Sequence, residues 1–572
     1  MIFDELRAIQ LRYGYLPKAE LENLSQRSQI PLYQIHSVAS FYPHFHLTPP
    51  SRAEVHVCAD MSCRLNGACE LRAELARRFA GARPEDVQIK DVSCLGRCDR
   101  APAVAVNDAI FEGVTAEHVE QLARRAVRGE VLHAERPEVA RVACASDPYN
   151  DAEKYGTVRR LVNTRDYDGV LAALKEAELR GLGGAGIPTW MKWDLVRKQA
   201  DPEKYVVCNA DESEPGTIKD RFILSHLPHL VVEGMIIAGL VTGAKKGILY
   251  IRHEYPLQEE IFAEELRRCI KVGLLGKKIL GSELDFTLEV FVSPGGYICG
   301  EESALLEAIE GHRAEPRNKP PFPGQVGLWQ KPTVINNVET FANVPQILAR
   351  GAEWYKSAGV NGSRGLKFVG VSGHVVRPGV YEVPMGTTMR EVIYENAEGI
   401  RGGRALKAFA PSGPSSGYLP ASCVDVRLDF QALAEAGSML GSGAIVVCDE
   451  TTCMLDMALT AVKFYRNESC GKCVPCRMGT QKMVELLTRW TQGNVSSAAY
   501  QGDLALLEEL AQAMSLTSIC GLGQIAPAPI QSVLKHFRAE IDAHVLKGQC
   551  PSGICFSVAG RLPELERVGI RP

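Results

Sequence analysis

The chain has 572 residues, 46% of them apolar and 23% charged, with a formal net charge of −4. That length predicts roughly three to five domains with chain enough for several cores, and nothing in the near-balanced charge points to nucleic acid or to an anionic membrane surface. The opening Met-Ile-Phe-Asp-Glu-Leu-Arg lacks a signal-peptide pattern, and the most apolar run, Leu230 to Val241, is broken by Glu233 and too short for a bilayer, so a soluble cytoplasmic protein is expected.

Residues 1 to about 50 read as short helices, with Leu and Ile at helical spacing and Pro31 as a break. The stretch V-H-V-C-A-D-M-S-C then reads as a strand running into a loop with Cys58 and Cys63. A helix follows from Cys69 to Phe79, and a second loop holds Cys94 and Cys98 between two strands. Spacings of C-x4-C and C-x3-C put four thiolates on two strand-end loops, the ligand set of a [2Fe–2S] cluster. Zinc accepts the same four thiolates and stays as the competing metal. The order strand–helix–strand–strand–helix predicts a thioredoxin-like domain, here 1–130 with its helical N-terminus, and 131–165 reads as a linker.

An α/β domain over 166–350 follows. Gly181, Gly183, Gly184 and Gly186 crowd a turn before Pro188 and a helix over Met191 to Arg197, with Lys192 adding a cation. Bare backbone at a helix start suits a nucleotide or flavin phosphate; a tight turn before a helix is the other reading. The strand Y-V-V-C leads into Asn209, Asp211, Glu212 and Glu214. Carboxylates there suit ribityl or ribose hydroxyls, against the alternative of a solvated acidic turn. Further on stand Tyr297 and Gly300, a helix starting at Glu301 and Glu302, a proline-rich loop with Lys319 and Phe322, and Asn336 and Asn337 before another helix.

Period-two alternation around a Pro-Gly turn from Leu366 predicts a hairpin in a small ubiquitin-like β-grasp domain, 351–430. The last domain, 431–545, reads as a helical bundle. Its C-x2-C-x2-C run, Cys470, Cys473 and Cys476, with remote Cys520, is the arrangement of a [4Fe–4S] cubane. The tail 546–572 carries Cys550 and Cys555, a docking tail or a remnant, since two thiolates alone hold no cluster. The other cysteines, Cys453 among them, read mostly as small core residues.

Glycine loop, acidic stretch, Y-I-C-G-E-E-S and E-S-C-G-K-C-V-P-C together resemble the NADH-oxidising flavoprotein of complex I (51-kDa type). The N-terminal cysteine region resembles its 24-kDa-type [2Fe–2S] partner, fused on one chain. Such fusions resemble the diaphorase β subunits of NAD-dependent formate dehydrogenase and of NAD-reducing hydrogenase. G-L-G-G-A-G and the L-P-A-S segment at 419–422 look closer to the formate dehydrogenase type.

The resemblance implies FMN on Gly181, Gly183, Gly184 and Lys192, with Asn209, Asp211, Glu212, Tyr297, Gly300, Glu301, Asn336 and Asn337 around it. It implies Glu214 near the nicotinamide of NAD(H), Glu302 on the adenosine ribose, and Lys319 and Phe322 along the dinucleotide. Glu214 and Tyr297 are the expected catalytic pair. Ile187 and Leu195 stand where the family has adenine-flanking aromatics, and Trp190 and Ser213 where it has Gly. Hydride exchange between NAD(H) and FMN is the implied reaction. Single electrons then pass through the cubane to or from a partner, here a Mo/W formate dehydrogenase subunit, with the [2Fe–2S] centre off the main route. The alternatives are the NADH-input module of complex I, an NAD-reducing hydrogenase or a bifurcating reductase, and, from another class, a non-catalytic assembly scaffold.

Overall fold

The computed structural model describes residues 2–134, 139–140, 142–493 and 495–555. The expected tail beyond residue 555 and parts of the expected linker lie outside them. Three helices, Ile2–Tyr13, Lys18–Ser28 and Leu32–Phe41, open the chain. Their buried residues share one core with Phe291, Ile298 and Leu305, joined by Met61 of the [2Fe–2S] domain that follows. Phe3 packs edge-on to Phe291 (6.4 Å), Arg7 donates to Val292 O (2.7 Å) and the Tyr42 hydroxyl to His312 O (2.6 Å). The segment thus packs onto the flavin-type domain as well.

The first sheet orders Val87–Val92, Ala53–Cys58, Ala103–Val106 and Ala109–Glu112, the first pair parallel and the others antiparallel. Helices Ala68–Arg78 and Ala116–Val127 flank it. This is the thioredoxin-like arrangement, with one hairpin strand more than the pattern predicted.

The second sheet is all parallel, in the order Thr287–Val292, Lys246–Ile251, Tyr205–Ala210, Thr333–Asn337. Its strands are apolar runs because helices cover both faces. Helix Pro228–Thr242 is apolar on every side and buried from His229 on, which explains the longest apolar run as core. Its Glu233 accepts from the amides of Thr157 and Val158, 3.1 Å each. Those residues begin the helix Gly156–Thr164, so the end of the expected linker belongs to this domain. Among the described residues no single helix is long and apolar enough to cross a membrane.

The expected hairpin is present as Leu366–Gly373 against Gly379–Pro384. Its sheet continues through Ala444–Asp449, parallel to the first of these strands, to Leu406–Pro414 and Leu419–Pro420. The β-rich unit therefore runs past the expected boundary at 430 to Asp449. Helices Met454–Glu468, Val474–Gln492, Ser497–Thr517, Ala528–His536 and Arg538–Lys547 make the terminal bundle.

Candidate active site

In an open parallel sheet, ligands sit outside the carboxyl ends of the strands, where the strand order reverses. Here the chain runs outward from Tyr205–Ala210 to Lys246–Ile251 and Thr287–Val292, then returns to place Thr333–Asn337 on the other side. The reversal falls between Tyr205–Ala210 and Thr333–Asn337. At those carboxyl ends lie Asn209 and the acidic turn, the Tyr297 turn, and Asn336 with Asn337.

The glycine turn is pinned there. Gly181 N–H donates to Ile187 O (2.9 Å), and Leu182 N–H to Thr340 Oγ1 (2.9 Å). A Cβ at Gly183 would lie 2.7 Å from Asn337 Cβ, so only glycine lets the loop close on the sheet. Gly184 has φ +132° and open space around it. Helix Thr189–Arg197 leaves the turn and carries Lys192, whose Nζ donates to Ile335 O (3.1 Å) and Glu302 (3.2 Å). A bare-backbone turn bordered by an ammonium group at the sheet's reversal point fits a flavin phosphate.

Around it, Asn209 Nδ2 donates to Gly300 O (2.8 Å), and a Cβ at Gly300 would meet Asp211 O at 3.2 Å, so the two turns clasp. Burial raises the Asp211 carboxyl to about 7, although Arg252 pulls it the other way. Asn337 Nδ2 donates to Asp220 (2.6 Å), and its Oδ1 accepts from Lys219 (3.0 Å).

Glu212 and Asn336 also have partners within the protein. The Glu212 carboxylate accepts from the amides of Asp220 (2.7 Å) and Arg221 (3.0 Å) and from the Tyr255 hydroxyl (2.9 Å), and it is buried. Asn336 is buried and accepts from Trp193 Nε1 at 2.9 Å. The Glu212 carboxylate and the Asn336 amide oxygen thus brace the turn. Glu301 caps its helix through Oε2, accepting from Ser303 and Ala304 N–H at 2.9 Å, while Oε1 accepts from Lys319 (2.8 Å). Glu302 lies between two cations, Lys192 and Lys319; burial works against ionisation, but those ammonium groups hold its carboxyl below the usual range.

Phe322 is half-exposed on its proline-rich loop, as are Ile187 and Met191 beside the glycine turn. Leu195 packs under that loop: a Cβ at Gly324 would lie 2.8 Å from its Cδ2. Lys175 Nζ caps the Trp190 ring at 4.9 Å, so that ring is engaged by its own domain.

Glu214 and Tyr297 meet. The Tyr297 hydroxyl hydrogen-bonds the Glu214 carboxyl, which also accepts from Ser415 N–H (2.9 Å); burial lifts that carboxyl to about 7. Tyr297 also leans on the terminal bundle, its amide donating to Glu468 (2.7 Å) and its ring edge-on to Phe464 (5.0 Å).

The expected cluster cysteines assemble as two sets. Cys58, Cys63, Cys94 and Cys98 are all buried, with Cys94 and Cys98 sulfurs 3.4 Å apart and Cys58 within hydrogen-bond reach of Cys63 and Cys94. Amides of Gly96 (3.4 Å) and Gly216 (3.2 Å) point at Cys94 and Cys98. Arg221 ties this loop to the flavin-type domain through Asp99 (2.7 Å) and Gly96 O (2.7 Å). In the bundle, Cys473 and Cys520 precede the helices Val474–Gln492 and Gly521–Ile525, and Cys476 lies in the first turn of the former. Cys470, Cys473 and Cys520 all bear electrostatically on Cys476. Exposed Val474, Met478 and Ile519 rim this set.

The sequence pattern does not reveal a third cluster. Cys453, His544, Cys550 and Cys555 bring their ligand atoms within 4.8 Å of one another. This corrects the reading of Cys453 as a scattered core residue and of the tail pair as a remnant. The C-x4-C spacing of Cys550 and Cys555 is a signal; their partners lie at the ends of other helices.

Comparison with known proteins agrees with this layout. Residues 1–126 match the thioredoxin-like [2Fe–2S] ferredoxin family, 174–346 the Nuo51 FMN-binding domain, 368–397 the SLBB domain, and 456–544 the NADH-ubiquinone oxidoreductase-F iron–sulfur binding region. The F 2 subunit of the NADH-quinone oxidoreductase of Rhizobium meliloti is 43% identical over 403 residues, 70% of this chain and 95% of that one. The HndC subunit of the NADP-reducing hydrogenase of Solidesulfovibrio fructosivorans is 44% identical over 386 residues, 68% of this chain and 78% of that one. A crystal structure of NAD+-reducing [NiFe]-hydrogenase in the H2-reduced state aligns with TM-score 0.83 and 32% identity, covering 95% of this chain and 93% of that one.

Proposed function

Because the chain belongs to the family of F-type flavoproteins of NADH-quinone oxidoreductase, with a thioredoxin-like [2Fe–2S] domain on the same polypeptide, we propose that it is the NADH-oxidising, FMN-carrying electron-entry subunit of a larger complex. The observation that carries this reading is Tyr297, bonded to Glu214 at the acidic turn and within the electrostatic reach of Cys520 in the bundle. One residue thus bridges the dinucleotide side of the crevice and the cubane thiols.

When bound, FMN supplies the change from a hydride pair to single electrons; the chain's residues bind, orient and insulate. The glycine turn and Lys192 hold phosphate. Asp211 and Asn209 offer oxygens to sugar hydroxyls. Glu302, Lys319 and Phe322 line the dinucleotide path, and Glu214 with Tyr297 closes the nicotinamide side against water. Glu212 and Asn336 hold the turn in shape. Cys470, Cys473, Cys476 and Cys520 carry the [4Fe–4S] cluster, and Cys58, Cys63, Cys94 and Cys98 the [2Fe–2S] cluster.

The apolar rim of Val474, Met478 and Ile519 supports a docking face for the next electron carrier. Leu182 in the glycine loop, which is buried, and the 419–422 segment favour a Mo/W formate-oxidising partner, with the complex acting in the cytoplasm. The near whole-chain likeness to the hydrogenase structure supports a nickel partner as the second reading. The test is a flavin spectrum, NADH–ferricyanide activity and metal analysis of the complex captured through this chain. Molybdenum or tungsten with iron supports the first partner and nickel the second. Loss of flavin and activity would leave only a scaffold.

A further inference from the structure

From the third cluster we propose that this chain binds one zinc ion on Cys453, His544, Cys550 and Cys555, separate from both iron–sulfur sites, and that the ion fastens the segment 548–555 to the terminal bundle.

The donor set comes first. Three cysteines and one histidine are a set that tetrahedral structural zinc takes. The four ligand atoms lie within 4.8 Å of one another, and the sulfurs of Cys453 and Cys555 are 3.5 Å apart. Four ligands around one ion, with Zn–S at about 2.3 Å, stand roughly 3.8 Å apart. A cubane seats each thiolate on a different iron and spreads them more widely. The spacing here is that of a single ion.

Histidine geometry is the second observation. His544 is fully buried on helix Arg538–Lys547. Its Nδ1 faces Trp490 O at 3.2 Å, and the ring also reaches Cys550. A ring N–H anchored on a backbone carbonyl fixes the tautomer that leaves Nε2 as a metal ligand. Trp490 is itself held by Asp503 (2.9 Å), so the ring's support is rigid.

Position is the third. Cys453 caps the N-terminus of helix Met454–Glu468, and Cys470 lies just past its other end. Fifteen helical residues put about 22 Å between the two sites. The region matched to the family's iron–sulfur binding domain, 456–544, contains all four cubane cysteines but none of Cys453, Cys550 and Cys555. Gly548 and Gly553, both with positive φ, turn the chain back so that Cys550 and Cys555 meet the helix start. One turn into that helix, Asp456 pairs with Arg64 of the [2Fe–2S] domain (2.9 Å). The ion would therefore secure the segment 548–555 beside an inter-domain ion pair.

The experiment uses the full-length chain purified anaerobically with its cofactors. Metal analysis is expected to give one zinc per chain beside the cluster iron, and zinc K-edge absorption a shell of three sulfurs and one nitrogen. The double variant Cys550→Ser/Cys555→Ser is expected to lose that zinc while iron and FMN per chain stay unchanged, and to become more readily cleaved by trypsin after Lys547. The proposal is overturned by iron falling in place of zinc in that variant, by a zinc shell of oxygen and nitrogen only, or by absence of zinc in the parent chain. The parent-chain measurements stand even where the variant does not fold. Intact FMN with no zinc would reject this site and leave the electron-entry reading untouched.

Discussion

The amide of Gly216 donates to the sulfur of Cys98 across 3.2 Å, so the acidic turn of the flavin-type domain closes directly on the [2Fe–2S] thiols. Gly216 takes φ +97°, and a Cβ there would stand 2.8 Å from Val446 Cγ2. Amides aimed at cluster sulfurs tune potential.

Gly216→Ala is accordingly expected to cost about 1–2 kcal/mol of stability from the left-handed backbone alone. It should also shift the [2Fe–2S] midpoint potential to lower values while the [4Fe–4S] signal holds still. Potentiometric titration followed by electron paramagnetic resonance reads both. An unmoved [2Fe–2S] potential would sever the turn from the cluster.

Phe322 is 48% exposed and supports little of the fold. An aromatic contact is worth about 0.5–1.5 kcal/mol, so Phe322→Ala should raise KM for NADH on the order of two- to tenfold. Turnover, flavin content and melting temperature should stay near the parent values. Steady-state NADH–ferricyanide kinetics decide it, and an unchanged KM would remove Phe322 from the dinucleotide path.

Asp211 supplies a pH dependence. Burial keeps its carboxyl protonated up to about 7, and sugar hydroxyls donate to the ionised form. Binding then favours the carboxylate and releases a proton, so FMN affinity of the flavin-free chain should rise as pH climbs through about 7 and level off above it. Asp211→Asn should flatten the profile. Fluorescence titration of FMN at several pH values checks this.

Glu212 separates bracing from contact. Its carboxylate serves two amides and a tyrosine in a buried setting. Glu212→Ala should cost on the order of 3 kcal/mol through donors left unpaired, seen as a lower Tm even in flavin-free protein. A purely ligand-contacting residue would lower FMN affinity and leave that Tm alone.

Cys470→Ser tests the wiring. The [4Fe–4S] signal should disappear and transfer to the partner stop, while NADH–ferricyanide activity persists in part because ferricyanide collects electrons at the flavin. Both activities surviving unchanged would exclude the cubane from the route.

Much of this layout is legible from residues close together in the chain. The C-x4-C with C-x3-C and the C-x2-C-x2-C motif announce clusters, because one loop can present several thiolates to one ion set. Glycines before a helix announce a phosphate cradle, because the missing Cβ is itself the feature. The internal partners of Glu212, Asn336 and Asn337 cannot be read in the same way: which polar side chain at a strand end meets which amide, indole or ammonium group depends on strand pleat and on helices brought in from elsewhere.

Domain limits are obscured for a related reason. Ala444–Asp449 is a plain apolar strand whose partner, Leu366–Gly373, lies far back in the chain, and the N-terminal helices bury Phe3 against distant Phe291 as well as against the neighbouring Tyr42 and Phe45. Residue order alone carries the available chemistry: eight clustered thiolates, a bare-backbone turn, and carboxylates after a buried strand. Packing selects which polar groups are spent on the protein's own amides, brings Tyr297 against both Glu214 and the bundle, and joins Cys453 and His544 to Cys550 and Cys555. Those outcomes depend on contacts between distant segments, and local spacing carries no record of which distant segment a packed helix end will meet.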